Sequence, residues 1–103
     1  MRENDFQREV IDLARSLGWL CYHTYDSRRS PPGFPDIVAV RVNKDETARL
    51  LFAELKVGNN TESMDQIKWL GTLACVPGLE VYIWRPEDLD RPPTIREILE
   101  RGE

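Results

Sequence analysis

The chain has one histidine and two cysteines in 103 residues. Neither cysteine is spaced like a metal ligand, so a structural zinc centre is not expected. Cys21 and Cys75 lie inside apolar segments and read as buried free thiols. No apolar run approaches the roughly 20 residues of a membrane-spanning helix, so no membrane partner is expected. The opening Met1-Arg2-Glu3-Asn4-Asp5 is polar and acidic and lacks the apolar stretch of a secretory signal, which makes the cytoplasm the expected location. Repeats, low-complexity tracts and internal linkers are absent, and the length suits one domain, residues 1–103, with a modest core. Excess positive charge is missing too. There are 14 Lys and Arg against 18 Asp and Glu, a net charge of −4. That balance argues mildly against nucleic acid, since phosphates favour a basic surface. It does not exclude it, because acids that hold a divalent cation count as negative yet present a positive centre once loaded.

Hydrophobic patterning predicts an α/β domain. Over residues 3–17, Phe6, Val10, Ile11, Ala14 and Leu17 recur at helical spacing, and Gly18 reads as the stop. Residues 19–24 are short and aromatic-rich, which predicts a strand. A loop rich in Ser, Pro and Arg follows to Pro35. Residues 36–42 and 49–57 read as two strands of an antiparallel hairpin about a polar turn at 43–46. Ser63-Met64-Asp65-Gln66 has the capping-box pattern and opens a helix over 63–75, with Ile67, Leu70, Leu73 and Ala74 as its apolar stripe. Residues 79–84 predict a fourth strand, 85–88 a turn, and 94–100 a short last helix. Helices before and after a three-strand block imply a mixed sheet flanked by helices. The step from strand 49–57 through a helix to strand 79–84 is long enough for a parallel crossover.

Charge inside those strands is the main functional signal. Phe52-Ala53-Glu54-Leu55-Lys56 carries an acid and a lysine where a buried strand is expected, and Asp36 opens the strand before it. Ionised groups seldom lie in such runs without a partner or a metal. Alternation puts Glu54 and Lys56 on one face with Leu50 and Phe52. Pairing about the 43–46 turn brings the start of one strand to the end of the other, so Asp36 should lie near both. Asp36 and Glu54 then offer hard oxygen ligands for Mg²⁺ or Mn²⁺, with the Leu55 backbone carbonyl as a third. Lys56 would position a water or offset charge on phosphate oxygens. The plain alternatives are a wet strand end for Glu54 and Lys56, and a turn cap for Asp36. Ser27, Arg28 and Arg29 form a basic patch just before this site, where a phosphate backbone would run. His23 reads as a satisfied strand residue, with a phosphate contact left open beside those arginines. Trp19, Trp69 and Trp84 fall on apolar faces and read as core or dimer contacts.

Gly33-Phe34-Pro35-Asp36, Glu54-Leu55-Lys56 and Gln66 together resemble the PD-(D/E)xK nuclease superfamily. More narrowly, they resemble its virus-type replication-repair nuclease (VRR-NUC) domain in the small stand-alone phage and bacterial form. The resemblance extends to Phe6-Gln7, Tyr22-His23-Thr24, Trp69-Leu70 and Trp84-Arg85-Pro86. It implies a restriction-endonuclease-like αβββαβ core with a short C-terminal helix. It also implies metal-dependent hydrolysis of DNA by a water nucleophile, and a homodimer acting on branched or junction DNA. By the same likeness Glu3 corresponds to a helix acid assisting at the metal, and Gln66 to a site glutamine. The capping box remains a sufficient reason for Gln66, and a first-turn acid favouring the helix dipole a sufficient one for Glu3. No small-molecule cofactor is implied. The rival expectation is a DNA-binding or assembly protein that keeps this fold without catalysis.

Overall fold

The computed structural model describes residues 1–24 and 30–103. Helix α1 (Glu3–Ser16) forms where the apolar spacing predicts it, and Phe6, Val10, Ile11 and Ala14 are buried along one stripe. It ends at Gly18, whose φ of +90° suits a residue without Cβ. Trp19 then turns inward, its Nε1 donating to the Leu99 carbonyl at 3.0 Å. The strands are β1 (Leu20–His23), β2 (Ile37–Val42), β3 (Ala48–Leu55) and β4 (Glu80–Trp84), with helix α2 (Met64–Leu73) between the last two. After β4 come a single 3₁₀ turn, Pro86–Leu89, where a plain turn was expected, and helix α3 (Ile95–Glu100).

The sheet order is β1-β2-β3-β4. β1, β2 and β3 pair antiparallel and β3 pairs parallel with β4. This is the expected mixed sheet. The hairpin turn closes with Asn43 N donating to the Thr47 carbonyl at 2.7 Å. Ile37, Ala39, Leu51, Ala53, Leu55 and Trp84 point to one face and form the core with α1 and α3. α2 lies over the opposite face, where Phe34 packs edge-on between Phe52 and Trp69 at centroid distances of 5.9 and 5.0 Å.

Two expectations need correction. The apolar stripe of α2 is only one residue deep: Leu70 is buried, whereas Ile67 and Ala74 are exposed. Phe34 and Trp69 fill the space between helix and sheet, which leaves the rest of the stripe nothing to pack on. Cys75 follows the helix and is exposed, and Cys21 is half-buried; both are free thiols. Among the described residues no helix is long and apolar enough to cross a membrane.

Candidate active site

The β2–β3 register decides where the strand charges go. Ile37 pairs with Ala53, so one further step sets Asp36 opposite Glu54, and opposed residues share a face. The next step sets Pro35 opposite Leu55, and proline has no N–H to give the Leu55 carbonyl. The Leu55 N–H is taken instead by the Asp36 carboxylate, Oδ2 accepting at 2.8 Å. That bond fixes Asp36 at the mouth of the sheet.

Glu54 is 2 % exposed. Its Oε2 accepts from Gln66 Nε2 at 2.5 Å and from Lys56 Nζ at 3.3 Å. Lys56 Nζ also donates to Gln66 Oε1 at 2.7 Å, and Ser63 N donates to the same oxygen at 2.8 Å. Gln66 is therefore both a cap and a bridge. Its backbone N–H bonds Ser63 Oγ, completing the capping box, while its amide joins Glu54 to Lys56. The helix start and the strand end form one hydrogen-bonded unit.

Burial, then the charge of Asp36 and a hydrogen bond shared with it, push the Glu54 carboxyl up to about 7, against the pull of Lys56. When both acids are ionised, Glu54 Oε1 is buried and meets no donor. A proton shared with Asp36 satisfies it, and so would a hard cation. Two carboxylates that repel each other, one with an orphaned buried oxygen, fit Mg²⁺ or Mn²⁺ by donor chemistry. Beyond this pair, no cluster of three or more His, Cys, Asp or Glu side chains stands among the described residues. Glu3 is set apart: it is exposed in the first turn of α1 and lines a hollow with Arg2, Asn4, Asp5 and Arg8.

Two features hold the frame. Gly33, at φ +91°, lies so close to α2 that a Cβ there would come within 2.5 Å of the Asp65 carbonyl carbon. The loop bearing Asp36 is thus seated on the helix bearing Gln66. Arg85 donates to the carbonyls of Gly58 and Asn60 at 3.1 and 2.7 Å, tying down the segment between Lys56 and Ser63. Arg85 belongs to the Trp84-Arg85-Pro86 motif of the resemblance, but its structural role is not legible locally, because its partners lie 27 and 25 residues away. His23 pairs with Ile37, next to Asp36, and its Nδ1 lies 3.0 Å from Gln7 Nε2. Ser27, Arg28 and Arg29 lie outside the described residues.

Comparison with solved structures finds a matching architecture. The chain shares the fold of a Holliday junction resolvase. One similar structure is Hjc from the archaeal hyperthermophile Archaeoglobus fulgidus, with a TM-score of 0.55 and 25% identity over 80% of this chain and 67% of that one. No family model and no curated protein matches the chain.

Proposed function

We propose that the chain is a nuclease: a divalent-metal-dependent DNA endonuclease that selects branched DNA and acts as a homodimer. The observation that carries this is the pair Asp36 and Glu54, one carboxylate buried with an oxygen lacking a donor, beside the ammonium of Lys56. Likeness to a junction resolvase supports the substrate class, and the motif set at its spacings favours the VRR-NUC type within the nuclease superfamily.

Asp36, Glu54 and the Leu55 carbonyl would hold Mg²⁺ or Mn²⁺, which when bound would supply Lewis acidity at the scissile phosphate and lower the pKa of a water so that it can attack as hydroxide. Lys56 places its ammonium against the phosphate oxygens, where charge develops, and Gln66 holds Lys56 and Glu54 at their distances. Ser27, Arg28, Arg29 and His23 are assigned to the DNA backbone.

The test is cleavage of a four-way junction and a linear duplex with the same arms, in Mg²⁺, Mn²⁺ or EDTA. Asp36→Ala, Glu54→Ala and Lys56→Ala should each lose at least about a hundredfold in rate with unchanged circular dichroism. A wild type that binds the junction yet never cuts it in either cation would defeat the reading in favour of a silent DNA-binding protein.

A further inference from the structure

Among the described residues, one face of the sheet is left half bare. Opposed residues in the register share a face, so Leu20, Tyr22, Val38, Val40, Val42 and Leu50 lie together on the side of α2. α2 reaches that side through Phe34 and Phe52 over β3, and it stops there. Leu20 is 74%, Tyr22 62%, Val42 68% and Leu50 38% exposed, with Val38 and Val40 half-buried between them. None of the six is charged, in a chain that is 31% charged. At these exposures the four side chains leave roughly 500 Å² of surface, the size at which a patch on a monomer marks an interaction site.

We propose that this face, from edge strand β1 across β2 to Leu50, is the contact between two copies of the chain. An uncharged face gives phosphates nothing to bind, whereas it is complementary to itself about a two-fold axis. Two such patches bury about 1,000 Å² in all, near the lower limit of a stable interface. The patch also runs into the site, since Asp36 and Glu54 lie beyond Val38 and Phe52 on the same face. Pairing there would give one assembly two sites, as a two-stranded cut requires; this last argument alone rests on the endonuclease reading.

The decisive measurement is sedimentation velocity of the full chain at micromolar concentration, in low salt and in 1 M NaCl. The expected result is a dimer in both, because apolar contacts are not screened. Tyr22→Glu and Val42→Lys, each at an exposed position, should weaken the dimer at least about a hundredfold with unchanged circular dichroism. Met64→Lys, an exposed apolar residue off this face, should not. A monomeric wild type, or a dimer that survives both face variants, overturns the proposal. Junction cleavage on the same samples separates the two readings. A face-dependent dimer that never cuts leaves the interface standing and removes the nuclease, while cutting by a dimer insensitive to the face does the reverse.

Discussion

Glu54 is the residue on which the chemistry turns, and its environment sets a pH signature. Its folded pKa, about 7, lies above the ordinary carboxylate value of 4.5. Between those values the folded state binds more protons than the unfolded state, so stability must fall as pH rises through the window. The cost is absent below about pH 4.5 and complete above about pH 7. Thermal melts in EDTA should therefore show the unfolding temperature declining from pH 5 to pH 8, and saturating Mn²⁺ should flatten that slope. A flat profile in EDTA would mean that neither burial nor the charge of Asp36 raises the Glu54 carboxyl in the folded state. The acids, the lysine and Gln66 were all legible as residue types in a pattern. Burial of Glu54 was legible only in part, because a strand's alternation tells which residues share a face but not what covers it.

At the scale of elements, the site depends on a loop seated against a helix. Gly33 touches the first turn of α2 so closely that any side chain must push the two apart. Gly33→Ala should cost about 2 kcal/mol, from the positive φ and the contact together. It should also lower the cleavage rate more than it lowers stability, since Asp36 and Gln66 move with the two parts. Urea denaturation and junction cleavage on one preparation would check this; full activity with lost stability would show the contact to be only structural. The sequence signals for this region were uneven. The capping box at Ser63 and Gln66 is local and was readable. The pairing of Pro35 with Leu55, which withholds an N–H from a strand-end carbonyl, follows from a register that only the assembled hairpin supplies. The α2 stripe misled because helical spacing records which residues could be buried together, while Phe34 and Trp69 decide which ones are.

Across the whole molecule, the end of the sheet away from the site is closed by two arginines, Arg41 buried and Arg49 half-buried. Arg41 is buried and donates to the carbonyls of Leu99 and Arg101 at the end of α3, and to Asn43 Oδ1 at 3.0 Å. Arg49 grips Glu80 at 2.7 and 2.6 Å and reaches the Arg101 carbonyl at 2.8 Å. The two guanidinium carbons lie 4.9 Å from the Trp19 ring centroid. Positive charge at a helix C-terminus is favourable, and these groups donate to carbonyls of the last turn that have no partner within the helix. Arg41→Met should destabilise the fold by about 3 kcal/mol, through several lost charge-assisted bonds. It should leave the metal requirement of cleavage unchanged; chemical denaturation and a Mn²⁺ titration would measure both. The order and type of the elements, the hairpin and the residues able to carry chemistry follow from short-range pattern, because helical spacing, strand alternation, caps and turns are properties of neighbouring residues. The burial of Glu54, its orphaned oxygen beside Asp36, the clasp of Arg85 and the sheet face left bare by the described residues were decided by tertiary structure, because each depends on which distant segments meet and which surfaces they leave open.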